Sequence, residues 1–224
     1  MTTANRLMIA DFLDGLDDDQ WAAATLCHGW TVRHMAAHMV QPMLIGFGRF
    51  FLASLRFRGD TGRTVDHFTR RLARTPRAEL IGLLRRHAAD RVDPPRVGPM
   101  GPFAETCLHL RDMARPLGLD ADVPLDHWRV LLDYLVSPRV APALVPPGRL
   151  TGLTLTATDL TWTSAPGTLA AGRSTGRARG AGEEARISGD DARISGPAEA
   201  LAMAVTGRTA ALADLNGPGL DRLR

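Results

Sequence analysis

The stretch TVRHMAAHMV, residues 31–40, places His34 and His38 one helical turn apart in a run of Met, Ala and Val. A four-residue spacing puts both rings on one helix face. The apolar neighbours predict a buried helix, with Thr31 as its N-cap. An imidazole inside such a helix needs a partner: a backbone carbonyl, a carboxylate, water or a metal. A core histidine with a hydrogen-bond partner is the simplest arrangement. The stretch ETCLH, residues 105–109, adds to it. Glu105 and His109 stand at i and i+4, flanked by Phe103, Ala104, Leu108 and Met113. A carboxylate and an imidazole aimed inward from one helix can face a histidine from another. Two nitrogens and one oxygen with an open position form the donor set of a catalytic Zn²⁺ site, and a bundle core is a usual place for it. The spacing alone is equally compatible with a structural Glu–His pair.

Outward from these two segments, the chain to about residue 140 reads as helical. ANRLMIADFLDGL (4–16) has apolar residues at helical spacing, and DDDQW (17–21) starts a short helix. The run from Thr31 to Leu55 predicts one long helix kinked at Pro42. DHFTRRLART (66–75) and PRAELIGLLRRHAADR (76–91) are amphipathic, with Pro76 at a helix start. GPFAETCLHLRDMARPLG (101–118) is ended by Pro116 and Gly118, and PLDHWRVLLDYLVSP (124–138) is the last helix. Helices joined by short loops predict an antiparallel bundle.

The composition then changes. SPRVAPALVPPGR (137–149) is Pro-rich and reads as a linker. LTGLTLTATDLTWTSA (150–165) alternates apolar residues with Thr at the strand period. A Gly-rich stretch follows, with ARISG at 185–189 and again at 192–196. One copy predicts a strand leading into the helix PAEALAMAVTG (197–207), and the other an extended arm or a loop. GPGLDRLR (217–224) predicts a short last helix. The fold class expected is α+β in two domains: a helical bundle over residues 1–140 and a small α+β domain over 141–224.

The bulk numbers narrow the function. The 224 residues are 45% hydrophobic and 23% charged, which suffices for one or two ordinary cores. Net charge is +3, with no Lys, and the arginines lie among 24 acidic residues. With aromatics at 5%, no stripe of basic and aromatic residues marks a nucleic-acid partner. Two cysteines, Cys27 and Cys107, are too few for a disulfide scaffold. The first residues have no basic segment ahead of an apolar core, so no signal peptide is expected. The most apolar window, MLIGFGRFFLASL (43–55), contains Arg49 and falls short of the roughly 20 residues of a membrane span. The expectation is a cytoplasmic chain without nucleic-acid or membrane partners.

The ordered motifs carry a resemblance. LDDDQWAAATLCHGWTVRHMAAHMV (16–40) resembles the opening of the mycothiol-dependent maleylpyruvate isomerase family, in the DinB-like superfamily. ETCLHLRDMARPLG (105–118) is similar to the family's Glu-x-x-x-His segment, and ISGPAEALAMAVTGRTAALADLNGPGLDRLR (194–224) to its sterol-carrier-like second domain. The resemblance implies a DinB-like antiparallel four-helix bundle and a metal, zinc or another divalent ion, held by His38, Glu105 and His109. The family usually has Asp where this chain has His34. That ring is then a neighbouring polar group, a partner of a ligand, or solvent-facing; as a fourth ligand it would close the site. Asp112 could orient a metal-bound imidazole or pair with Arg111 or Arg115. Arg208 matches a recurrent Arg of the second domain and could clamp a substrate carboxylate, or make an ordinary salt bridge. Cys107 points roughly 160° round the helix from both ligands and packs as a small hydrophobe. Cys27 is expected to be structural, Trp21 and Trp30 to be core anchors, and His67, His87 and His127 to be solvated.

The activity implied is nucleophilic catalysis by mycothiol, a borrowed thiol. The thiol adds to a conjugated cis double bond, rotation follows about the resulting single bond, and the thiol leaves to give the trans product. Its partners are this small-molecule thiol and a small organic acid or electrophile, and the chain is a monomer or a homodimer. Two alternatives stand beside the isomerase: a mycothiol S-transferase that detoxifies electrophiles, and a non-catalytic binding protein stabilised by its metal.

Overall fold

A computed structural model describes residues 1–94, 97–164 and 192–224. It is mostly helical, with one small sheet. The described residues form two compact units, Met1–Val123 and Pro124–Arg224. The division falls before the helix at 125–135, whereas composition placed it in the Pro-rich stretch further on.

The first unit contains α1 (Thr2–Asp14), α2 (Asp18–Ala22), α3 (Val32–Leu44), α4 (Phe47–Arg56), α5 (Thr61–Leu72), α6 (Arg77–Arg86) and α7 (Met100–Ala114). α1 packs on α6 and α7, and α3 packs on α5, α6 and α7. Their apolar stripes meet in a core that includes Ile9, Leu13, Met35, Val40, Leu80, Leu84, Leu108 and Met113, each at most 1% exposed. Burying a side chain of this size contributes about 1.5–3 kcal/mol.

The expected long helix is two helices. Pro42 lies inside α3, which ends when Ile45 turns to extended backbone; Gly46 then caps α4. The missing N–H of Pro42 removes one hydrogen bond just where the helix runs out. α3 is buried along most of its length, and α4 has no buried residue. α7 carries Pro102 in its first turn, where a missing N–H costs nothing. Beyond it, Leu119 N–H returns to Ala114 O at 3.0 Å, with Gly118 at φ 65°.

The second unit contains α8 (Leu125–Leu135), β1 (Thr154–Ala157), β2 (Arg193–Gly196), α9 (Ala198–Val205) and two 3₁₀ turns, Thr209–Asp214 and Pro218–Leu223. α8 presents His127, Trp128, Leu131, Leu132 and Leu135 inward and packs on α9, whose residues are all buried. That contact is why α8 belongs with the second unit. β1 and β2 run parallel, with Leu155 opposite Ile194. Side chains alternate inward along both strands, as a half-buried strand requires. The second ARISG copy is thus β2; the first lies outside the described residues. Gly217, at φ 128°, passes so close to the backbone of Arg193 and Ile194 that a Cβ would not fit. No described helix is long and apolar enough to cross a membrane.

Candidate metal centre

His38 projects from α3, and Glu105 and His109 project from successive turns of α7. One donor atom from each lies within 4.8 Å of the others. The His38 and His109 rings meet edge to face, with centroids 5.1 Å apart. Both histidines are at least nine-tenths buried. His38 Nδ1 is buried without a hydrogen bond among the described residues. Burial, with the His109 ring beside it, pulls the His38 pKa down to about 3. That ring is therefore neutral, with a lone pair free to ligate. Burial pushes the Glu105 carboxyl above its ordinary range, while His109 and Arg6 act in the opposite direction. Such a set, short of internal partners and rich in N and O donors, suits a divalent cation.

His109 faces a second set of groups through Nδ1. Asp112 Oδ2 lies 2.8 Å away and is fully buried. The same oxygen accepts from Cys27 Sγ at 3.4 Å, and that sulfur lies 4.0 Å from His109 Nδ1. Cys27, His109 and Asp112 are close enough to form a second donor cluster, but their atoms already bond to one another. Burial pulls the His109 pKa down, but the hydrogen bonds to Asp112 and Cys27 outweigh it and raise it to about 9. With Nδ1 committed to Asp112, Nε2 is the nitrogen that faces the triad, and it would ligate a cation only on losing its proton. A carboxylate behind a ligand histidine fixes its tautomer and orientation.

His34 takes no part in the triad. Its Nδ1 accepts from Thr31 N–H at 3.3 Å and lies 2.9 Å from Thr31 Oγ1, closing the first turn of α3. Cys107 is buried, its thiol pushed up to about 12 by burial, and Asn5 Nδ2 reaches it at 3.4 Å; it is a packed side chain, as its helix position predicts. Trp21 is a core anchor, with Nε1 on Leu13 O at 3.0 Å. Trp30 is only half-buried and is a wall of the centre. Its ring lies 5.0 Å from His38, and its Nε1 donates to Asp66 Oδ1 at 2.9 Å. His67 is exposed, as expected, and His87 bonds Asp90 at 2.7 Å. His127 is 7% exposed, contrary to the solvated reading, because it heads the inward stripe of α8. Arg208 lies in the second unit, where its Nη1 donates to Thr206 O at 3.1 Å.

Two residues of α1 escaped the sequence reading. Arg6 is buried, donates to Ala88 O at 3.0 Å and Asp90 O at 2.7 Å, and places its charge where Glu105 feels it. Asn5 donates to Thr106 Oγ1 at 3.0 Å, tying α1 to the turn that carries Glu105.

Two buried helices that converge two imidazoles and a carboxylate define the class: a helical domain with a candidate divalent-metal centre. The model of the mycothiol maleylpyruvate isomerase N-terminal domain matches residues 4–155, two-thirds of the chain, and the protein belongs to that family. No curated protein and no solved structure matches the chain.

Proposed function

We propose that the chain is a metal-dependent enzyme that uses mycothiol as its thiol, catalysing cis–trans isomerisation of a maleylpyruvate-like acid or a closely related thiol-dependent reaction. One observation carries this reading. His38, Glu105 and His109 bring their donor atoms within 4.8 Å of one another, in a chain whose family is defined by a mycothiol isomerase domain. The first unit is then a DinB-like bundle built on α1, α3, α6 and α7, and the second a sterol-carrier-like domain.

His38, Glu105 and His109 would hold the ion, zinc or another divalent cation. A divalent cation with an open position lowers the pKa of a thiol so that the thiolate persists at neutral pH. The chain's own groups prepare that position. Asp112, bonded at Nδ1 of His109, would orient the ring so that Nε2 is the atom offered to the ion, which would displace its proton. Trp30 covers His38 and limits water on that side. His34 is engaged at Thr31, which supports three protein ligands over a closed set of four. Arg208 is the residue proposed to pair with the substrate carboxylate; a guanidinium suits that planar anion.

The test is paired. Metal content is measured on the purified protein; maleylpyruvate isomerisation and electrophile conjugation are then assayed with and without mycothiol. Stoichiometric metal with thiol-dependent isomerisation is the expected result. Conjugation without isomerisation would make the enzyme an S-transferase. Metal without either activity would leave a metal-stabilised binding protein.

A further inference from the structure

α4 is the least covered helix of the first unit. Phe47, Phe51, Leu52 and Leu55 are 65%, 52%, 68% and 59% exposed. Phe47, Phe51 and Leu55 follow one another at i, i+4 and i+8, with Leu52 beside them, so they form one continuous apolar face. Phe47 and Phe51 stack at 6.2 Å. α4 packs on α5, where Phe50 stacks on Phe68 at 6.2 Å and Arg49 lies over the same ring at 5.8 Å.

The charge beside this face is concentrated. Residues 47–77 contain eight arginines and two aspartates, a net +6, whereas the whole chain is only +3. Four of these arginines, Arg63, Arg70, Arg71 and Arg74, line a cavity of about 820 Å³ that starts at Phe57, just past the end of α4. Its one carboxylate, Asp66, is held by Arg70 at 2.8 Å. Three guanidiniums therefore stand over the cavity without a carboxylate partner among the described residues.

We propose that α4 and α5 form a docking surface for an anionic lipid bilayer. The apolar face of α4 enters the interface, and Arg63, Arg71 and Arg74 take phosphate headgroups in the cavity. A helix with Phe and Leu on one face and Arg around it lies in an interface and does not cross it. Guanidiniums bind phosphate oxygens in pairs, and a basic cluster is drawn to an anionic leaflet. A second copy of the chain is the poorer occupant, because it would bring two surfaces of net +6 together. The sequence expectation of no membrane partner rested on the missing span and did not address a helix lying on the surface.

Co-sedimentation with vesicles tests this on the full chain. Vesicles of phosphatidylcholine with about one-third phosphatidylglycerol should bind the protein, and pure phosphatidylcholine vesicles should not. Binding should fall at least about tenfold in roughly 0.5 M NaCl. Both the double variant Phe51→Ser/Leu52→Ser and the double variant Arg71→Ser/Arg74→Ser should weaken it at least about tenfold. All four side chains are exposed, so unchanged circular dichroism and melting confirm that the variants fold. Four outcomes overturn the proposal: no binding to either vesicle; equal binding to neutral vesicles; dimerisation abolished by Leu52→Ser in place of vesicle binding; or calorimetric binding of inorganic phosphate alone, which would make the cavity a small-anion site.

Discussion

His109 separates two donor clusters that differ in one respect. On its Nδ1 side, Asp112 and Cys27 bond to the ring and to each other. On the other side, His38 retains a buried nitrogen without a hydrogen bond among the described residues, and Glu105 sits where burial opposes its charge. Both clusters contain groups that ligate metals, and both are compact enough to do so. The closed cluster has already used its lone pairs and protons internally. The open cluster has not, and a buried polar group without a partner costs about 1–3 kcal/mol. The folded chain bears that cost where a cation would relieve it. On the proposed reading, the closed cluster positions His109 and the open cluster is the one that would hold the cation.

The sharpest way to break this comparison is to remove a donor from the open side. His38→Ala should abolish stoichiometric metal in the purified protein, measured by elemental analysis after expression in metal-supplemented medium. Full metal content in that variant would mean that the ion sits in the other cluster or elsewhere. Asp112→Asn, on the closed side, should leave the ligands in place and loosen only their orientation. The expected loss is about 10- to 100-fold in metal affinity, read by competition with a chelator of known affinity. Cys27→Ala should change that affinity less than Asp112→Asn does, since the sulfur reaches His109 only at 4.0 Å.

These contrasts were partly legible in the chain. Helical spacing is local, so it set Glu105 and His109 on one face and His34 and His38 on another; it did not choose between the two histidines or exclude a structural Glu–His pair, and the family resemblance supplied the set His38, Glu105 and His109. Asp112 stayed ambiguous, since Arg111 and Arg115 offered it equally good partners nearby, and only packing makes it fully buried. Arg6 and Asn5 left no local mark, because their partners are distant in sequence: Ala88 and Asp90 for Arg6, and Thr106 of α7 for Asn5. The buried His127 could have been found from Leu131 and Leu135 at i+4 and i+8. Proline density marks a break in local structure, whereas the placement of α8 depends on its contact with α9.

The outer wall of the open cluster gives a smaller, pH-dependent effect. Asp66 accepts from Arg70 and from Trp30, the ring that covers His38. The Arg70 hydrogen bond, with Trp30 adding to it, holds the Asp66 carboxyl below its ordinary value. A folded pKa below the unfolded one means that ionised Asp66 stabilises the fold above the unfolded carboxylate value. The contribution disappears as pH falls through the lower folded value. Asp66→Asn should therefore be less stable than the parent at neutral pH, by below about 1 kcal/mol because the group is partly exposed. The difference between the two melting temperatures should shrink as pH drops below about 4. A difference that stays constant across acid pH would show that the carboxylate charge contributes nothing there.

His34→Ala should have the smallest effect, and it separates the two histidines of the same helix face. His34 closes the first turn of α3 through Thr31, so its loss frees one backbone N–H at a partly solvated helix end. Such a cap contributes about 0.5–1 kcal/mol, a shift of a few degrees in melting temperature for a domain of this size. Metal stoichiometry should not change, because the Nδ1 atom is turned to Thr31 and the triad does not include it. A loss of metal without a loss of helix stability would reverse the assignment, making His34 a ligand and closing the centre to thiols.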